Sequence, residues 1–112
     1  MVVVKIDTRQ ITDEHTLHDV FAQALGFPPF YGRNMNAWID CMRSLDEPSA
    51  GMTTVHASAG GVVVLQLDDV DDFAQRCPAE YASIVECAAF VNREKIRRGK
   101  EPVLALSFYK SP

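Results

Sequence analysis

The chain has 112 residues, of which 47% are hydrophobic and 23% are charged. That is enough apolar material for one compact core, so we expect a single domain over residues 1–112 without long disordered segments. The formal net charge is -4, whereas binding to nucleic-acid phosphates requires a surplus of Lys and Arg. The composition therefore argues against a general nucleic-acid binder, and it favours a basic partner.

The first half of the chain predicts one strand and two helices. Residues 2–6 are β-branched and almost continuously apolar, as in a strand of a parallel sheet. Apolar residues at helical spacing predict a helix over 13–25, with Thr12 as its N-cap and Gly26 at its end. A second apolar stripe at the same spacing predicts a helix over 34–46.

The second half predicts two further strands and two helical segments. Residues 46–61 are rich in Pro, Ser, Thr and Gly and lack periodicity, so we expect a surface loop there. A buried-type strand follows at 62–68 and a third strand at 103–109. Between them, a helix over 79–98 begins next to Pro78, after a short helical turn. Strands separated by helices pair in parallel through crossovers, so the expected fold is α/β, with a three-stranded parallel sheet packed with helices.

Three cysteines stand far apart in the sequence, at Cys41, Cys77 and Cys87. Their spacing lacks the CxxC pair or nearby His of a zinc site, so we expect reduced thiols, with Cys41 and Cys87 buried and Cys77 more exposed. The N-terminus has no signal-peptide pattern, and no apolar stretch approaches the ~20 residues of a membrane span. These features predict a cytoplasmic protein that does not associate with membranes.

The sequence gives little support for a catalytic site, a metal site or a phosphate-binding site. His15, His18 and His56 could each be paired with a cysteine in a hydrolase, but no spacing supports a pair, and we interpret all three as solvated. The acidic run from Asp68 to Asp72 could hold a cation, yet helix capping explains it better, and no glycine motif for phosphate is present. We therefore expect no catalytic residues, no metal and no cofactor.

A basic segment at 93–100 ends the long predicted helix. Cations interact favourably with a helix C-terminus, so a solvated face explains the segment. RNA contact explains it less well, because aromatic residues for base stacking are missing. RNA association through this segment stays open as an alternative function.

The most informative segment is FYGRNMNAWIDC at residues 30–41. Helical spacing places Trp38 on the apolar stripe, toward the core. The same spacing leaves three polar side chains on the opposite face: Asn36, Asp40 and Arg43. Asn34 is a candidate N-cap, and Gly32 is a candidate for positive φ just before the helix. The segment thus predicts an outward acidic and aromatic face beside a sharp turn.

This segment resembles the signature of the barstar family of ribonuclease inhibitors. That signature runs aromatic-Tyr-Gly-x-Asn and continues into a helix with Ala and Asp-Cys at a fixed distance, and the order of strands and helices along the chain also agrees. The resemblance implies a barstar-like α/β fold with a three-stranded parallel sheet. It further implies an intracellular bacterial inhibitor, not an enzyme, that blocks the active site of a basic secreted or toxin-type nuclease.

The resemblance also implies that the partner binds the second helix and the loop before it. Carried over by position, the partner-binding residues are Phe30, Tyr31, Asn34, Asn36, Ile39, Asp40 and Arg43. Asp40 is implied to enter the phosphate-binding pocket of the partner, because a fixed carboxylate can replace a phosphate among Arg, Lys and His. The chain departs from the family at Asn36 and Asn92, where acids are expected, and at Ile39, where an exposed Trp is expected.

Two alternatives to inhibition remain open for the same residues. The signature is also compatible with a scaffold role in a barstar-fold binding or regulatory protein that has no nuclease target, since a fold does not determine a function. A small hydrolase built around Cys41 is the other alternative, and loss of a turnover on thiol alkylation would support it.

Overall fold

The computed structural model describes residues 1–110. Its elements in chain order are β1 (Val2–Ile6), α1 (Glu14–Leu25), α2 (Met35–Met42), β2 (Val63–Leu67), α3 (Val70–Arg76), α4 (Pro78–Arg97) and β3 (Leu104–Phe108). Short 3-10 turns, Thr8–Gln10 and Pro48–Ala50, lie in the connections. None of the helices within this described range has the length and apolarity needed to cross a membrane.

The strands form a parallel sheet in the order β1-β2-β3. Val2 of β1 is paired with Val63 of β2, and Val63 is paired with Leu104 of β3. β2 is the central strand, and its alternate residues Val63, Leu65 and Leu67 are buried. Parallel strands need long crossover connections, which the helices supply. The predicted α/β fold with three parallel strands is therefore confirmed.

The buried side of α2 joins the main hydrophobic core. Trp38 is fully buried, and its ring meets that of Phe21 from α1 edge to face, with the ring centroids 5.6 Å apart. The predicted position of Trp38 in the core is confirmed. Truncation of an aromatic side chain in such a place costs about 3–5 kcal/mol, so Trp38 holds α2 firmly in one orientation.

The start of α1 differs from the prediction by one residue, because Asp13 caps the helix instead of Thr12. The Asp13 carboxylate accepts the N–H of Thr16 at 2.8 Å, and the Thr16 hydroxyl accepts the N–H of Asp13 at 3.0 Å. This reciprocal pair is a capping box. The bonds from Thr16 lower the pKa of the Asp13 carboxyl. The helix ends at Gly26, with φ 66°, as predicted.

The end of α2 is the largest error in the predicted boundaries, since the helix ends at Met42 and not at 46. Beyond it, the N–H of Leu45 donates to the carbonyl of Met42 at 3.2 Å, the tighter spacing of a 3-10 turn. Lys95 of α4 donates to the Arg43 carbonyl at 3.1 Å and stabilises this end. Leu45 is nevertheless fully buried, which explains why the apolar periodicity continued past the helix.

The segment 46–61 is less of a surface loop than its composition predicted. Thr53 and Ala57 are buried within it. The N–H of Ala57 donates to the carbonyl of Leu45 at 2.9 Å, which holds the loop against the end of α2. Composition could not reveal that part of the segment is buried, because the burial depends on a backbone contact between residues that are distant in the sequence.

The acidic run 68–72 leads into α3. Asp69 occupies the N-cap position with a left-handed φ of 47°, and its side chain makes no capping hydrogen bond, so the predicted capping role is wrong at this residue. Asp72 forms an ion pair with Arg76 at 2.7 Å, one turn along the helix. Within residues 1–110 no group of three or more His, Cys, Asp or Glu side chains is arranged to hold a metal ion.

The three thiols are free, but two of them differ from the prediction in exposure. Cys41 is buried as predicted, and burial raises the pKa of its thiol to about 11. Cys77 was expected to be more exposed, yet it is 3% exposed, and its Sγ lies 3.5 Å from the carbonyl oxygen of Ile11. Cys87 was expected to be buried, yet it is half-buried and lines a groove between α2 and α4.

Candidate protein-binding site

The segment between α1 and α2 is a compact turn that carries two aromatic side chains. The N–H of Tyr31 donates to the Pro28 carbonyl at 2.9 Å, which closes the turn. Phe30 is 73% exposed, whereas Tyr31 is half-buried and packs against Phe27 with the ring centroids 4.6 Å apart. The turn therefore presents one free aromatic side chain and one anchored one.

His18 of α1 anchors Tyr31. It is 1% exposed, and its Nδ1 lies 2.6 Å from the Tyr31 hydroxyl. Its Nε2 faces the Glu14 carboxylate at 3.6 Å, which favours a proton on Nε2, so the Tyr31 hydroxyl donates to Nδ1. The prediction of a solvated residue was wrong for His18. Its helical spacing to Phe21 and Leu25 places it on the buried face, and that signal was present in the sequence.

Burial also determines the charge state of this pair. Desolvation lowers the pKa of His18, although the Glu14 carboxylate acts in the opposite direction. Desolvation raises the pKa of the Tyr31 hydroxyl. Both groups are therefore neutral near pH 7, and the Tyr31 hydroxyl is engaged in its hydrogen bond to His18. A partner meets the exposed part of the Tyr31 ring rather than its hydroxyl.

Arg33 ties the turn to α1. Its guanidinium donates to the His15 carbonyl at 3.1 Å and to the Asp19 carboxylate at 2.7 Å. Arg33 has a φ of 56°, so the left-handed conformation predicted at Gly32 falls one residue later, on a non-glycine residue. That conformation costs about 1–2 kcal/mol, which the guanidinium contacts offset. No sequence pattern singles out Arg33, because Arg is not a residue type enriched at positive φ.

α2 presents the polar face that the sequence predicted. Asn34 caps the helix, and its Oδ1 accepts the N–H of Ala37 at 2.8 Å, which confirms the predicted cap. Asn36 and Asp40 are exposed, about one turn apart. Ile39 is half-buried and packs against the core. Because the opposite side of α2 is locked into the core, the direction in which Asp40 points is set by the fold.

Asp40 is the acidic centre of this face. The guanidinium of Arg43 donates to its carboxylate, and both side chains are substantially exposed. Exposed ion pairs of this kind contribute about 0.2–1 kcal/mol, so cations of a partner can displace Arg43. Asp40 thus offers a carboxylate that is held in place by its helix and is accessible to another protein.

Two cavities meet at Asp40. The smaller one, of about 140 Å³, lies between the turn and α2 and is lined by Pro28, Phe30, Tyr31, Gly32, Ala37, Asp40, Cys41 and Met52. The larger one, of about 520 Å³, is the groove between α2 and α4. All predicted partner-binding residues except Asn34 line one of these cavities. Met52, from the segment 46–61, was missed because nothing in its sequence context indicates contact with α2.

The basic segment 93–100 does not form a continuous solvated face. Lys95 is buried, and its Nζ donates to the Asp46 carboxylate at 2.8 Å. Lys100 forms an ion pair with Glu47 at 3.3 Å. These cations are held by acids that follow α2, so the segment has fewer free positive charges for RNA than its sequence indicated.

Asn92 of α4 occupies the position at which the resemblance implies a second acid. Its Oδ1 accepts the N–H groups of Val103 and Leu104 at 3.0 and 3.1 Å, and its Nδ2 donates to the Leu104 carbonyl at 2.9 Å. Both ends of the amide are therefore used to hold α4 against β3. Asn92 contributes to the fold and not to the outward surface around Asp40.

Comparison with known proteins agrees with this geometry. The family model described as Barstar (barnase inhibitor) matches residues 1–107. Among individually curated proteins, none matches the chain. Members of the matched family are inhibitors rather than enzymes. Because the match covers almost the whole chain and the three parallel strands agree with it, the chain belongs to the barstar family.

Proposed function

We propose that the chain is an intracellular inhibitor of a basic ribonuclease, and that the Asp40 face of α2 blocks the active site of that enzyme. The observation that carries the proposal is the placement of Asp40, an exposed carboxylate on a helix whose other side is locked into the core by Trp38. A ribonuclease binds phosphate through cationic side chains, and a fixed carboxylate can occupy the same place. Inhibition of this kind requires no chemistry from the inhibitor.

The aromatic side chains of the turn supply contact area beside the acid. Phe30, which is largely exposed in the free protein, is the apolar anchor. Tyr31 is already held by His18, so little conformational entropy is lost when a partner covers it. Aromatic anchors with few rotatable bonds are typical of the residues that contribute most to protein interfaces.

Long-range electrostatics support the same class of partner. The net charge of -4 attracts a basic protein and accelerates association. We therefore expect the association rate to fall as ionic strength rises, because the charges are then screened.

The proposal is tested by Asp40→Ala in calorimetric titrations against barnase and against any nuclease that is found to be encoded beside the gene. We expect the variant to lose about 2–5 kcal/mol of binding free energy, because the partner's cations are left without their counter-charge. Its thermal stability should match that of the wild type, since Asp40 is exposed. Asp71→Ala is the matched control, because Asp71 is an exposed acid on α3 outside both cavities.

Equal affinity of wild type and Asp40→Ala would indicate that the partner binds another surface of the protein. Failure of the wild type to bind or inhibit any nuclease tested would contradict the proposed function. Asn36→Asp adds an acid about one turn before Asp40, and we expect it to bind barnase at least as tightly as the wild type does.

A further inference from the structure

His18 lies beneath the part of the turn that forms one wall of the Asp40 site. Its imidazole is 1% exposed, and its Nδ1 lies 2.6 Å from the Tyr31 hydroxyl. Tyr31 lines the small cavity beside Asp40, together with Phe30. His18 lines neither of the two cavities that meet at Asp40. It therefore acts on this surface through Tyr31, as a positioning residue.

The Tyr31 hydroxyl depends on His18 alone. Among residues 1–110, the His18 Nδ1 is the only hydrogen-bond partner of this hydroxyl. The ring of Tyr31 also packs against Phe27, but an apolar contact does not orient the hydroxyl. Because the Glu14 carboxylate favours the proton on Nε2, the hydroxyl donates to Nδ1. A hydrogen bond in this direction requires a neutral imidazole.

A second proton on His18 removes the acceptor of the Tyr31 hydroxyl. In the imidazolium both ring nitrogens are donors, so the proton on Nδ1 occupies the lone pair that accepts the hydroxyl. The described residues offer this hydroxyl no other acceptor, and a donor left unpaired away from water is unfavourable. From α2, Cys41 interacts with Tyr31 electrostatically, but burial raises the pKa of its thiol to about 11, so it is uncharged. Protonation therefore loosens Tyr31, while the contacts of Arg33 with α1 stay in place.

Charged groups on α1 and in the turn act on His18 in opposite directions. Desolvation is the largest effect, and it lowers the pKa of His18 below its ordinary value of 6.5. On α1, the Glu14 carboxylate lies 3.6 Å from the His18 Nε2, and both Glu14 and Asp19 favour the imidazolium. In the turn, the Arg33 guanidinium disfavours it. His18 is therefore neutral near pH 7 and takes up its second proton in acid.

We propose that His18 positions Tyr31 for the partner and that protonation of His18 in mild acid weakens binding of the nuclease, an inference that rests on the proposed function. The neutral imidazole fixes Tyr31 before the partner arrives, and the complex keeps this arrangement. At acid pH the complex thus holds fewer protons at His18 than the free protein does. By linkage, the affinity falls by at most about tenfold per pH unit below the pKa of His18 in the free protein, and His18 has no effect on the affinity at higher pH.

The pH profile of the dissociation constant tests this role. Wild type, His18→Gln and the control His15→Gln are titrated against barnase, and against any nuclease found to be encoded beside the gene, from about pH 7.5 to about pH 5. His15 is exposed on the same helix. Titrating groups of the nuclease contribute equally to all variants and cancel in the ratio to wild type. We expect wild type and His15→Gln to lose affinity in parallel, and His18→Gln to lose at least about threefold less.

Tyr31→Phe separates the positioning role from a general loss of stability. The variant lacks the hydroxyl but keeps the ring that packs against Phe27. We expect it to bind the nuclease more weakly than the wild type at about pH 7.5, because the ring is less firmly held. Its pH profile should follow that of His18→Gln, since a proton on His18 no longer competes with a hydrogen bond. A purely structural defect would weaken binding by one constant factor and leave the pH profile of the wild type unchanged.

NMR measures the coupling between His18 and the turn without a partner. The amide resonances of Phe30 and Tyr31 should shift on acidification with the same midpoint as the His18 ring, and His18→Gln should abolish this shift. Parallel pH profiles of wild type and His18→Gln, or turn resonances that do not follow the His18 titration, overturn the positioning role and leave the proposed function intact. Failure of the wild type to bind any nuclease tested at about pH 7.5 overturns the proposed function, and the inference about binding fails with it.

Discussion

The hydrogen bond between Tyr31 and His18 controls how firmly the turn before α2 is held. Tyr31→Phe removes the hydroxyl that donates to the His18 Nδ1 at 2.6 Å, and it keeps the ring that packs against Phe27. The Nε2 of His18 has no hydrogen-bond partner among residues 1–110. The variant therefore leaves the His18 Nδ1 buried without its hydrogen-bond partner, while the Nε2 keeps its contact with the Glu14 carboxylate at 3.6 Å. Such a group costs about 1–3 kcal/mol, and we expect the free energy of unfolding to fall by that amount near pH 7.

The same histidine makes stability depend on pH. Desolvation lowers the pKa of His18 in the folded protein from its ordinary value of 6.5. Between that value and the lower folded pKa, the unfolded chain binds a proton that the folded chain does not. The free energy of unfolding therefore falls as the pH drops below about 6.5, and above that value His18 contributes no pH dependence. We expect His18→Gln to remove this part of the acid sensitivity.

Urea denaturation followed by the fluorescence of Trp38, the single tryptophan, measures both effects. Wild type, Tyr31→Phe and His18→Gln are compared at about pH 7.5 and about pH 5.5, on either side of the ordinary histidine pKa. His15→Gln is the matched control, because His15 is exposed on the same helix. The reasoning is refuted if Tyr31→Phe unfolds at the wild-type midpoint, or if His18→Gln loses as much stability on acidification as His15→Gln.

Two further predictions concern the fold and the thiols. Asn92→Ala removes three hydrogen bonds to the backbone around the start of β3. We therefore expect urea denaturation to show a free energy of unfolding lower by about 2–4 kcal/mol. An unfolding midpoint equal to that of the wild type would contradict the role of Asn92 in holding α4 against β3. Cys87 should react first with Ellman's reagent in the native protein, while Cys41 and Cys77 react only on unfolding, because both are buried and burial raises the pKa of the Cys41 thiol to about 11. Reaction of all three thiols at one rate under native conditions would show that the three cysteines do not differ in burial.

Local patterns in the sequence determined the secondary-structure elements and which sides of α2 are buried and exposed. Apolar runs, β-branched in the first two strands, predicted the strands, and helical spacing placed Trp38 in the core and Asp40 on the surface. The cap at Asn34 was also predictable, because it bonds to a residue only three positions away. Each of these features depends on residues within a few turns of one another, so a sequence pattern is sufficient to indicate them.

Tertiary structure decided what surrounds Asp40. The turn is held by His18 and Arg33 through contacts with residues 13 to 18 positions away, and Lys95 reaches Asp46 across 49 positions. The groove beside Asp40 exists only because α4 packs next to α2. Hydrogen bonds, ion pairs and cavities depend on distance in space, and the folded path of the chain creates those distances. Residue spacing along the sequence therefore indicated which face of α2 is exposed, but it carried no information about the partners that shape it.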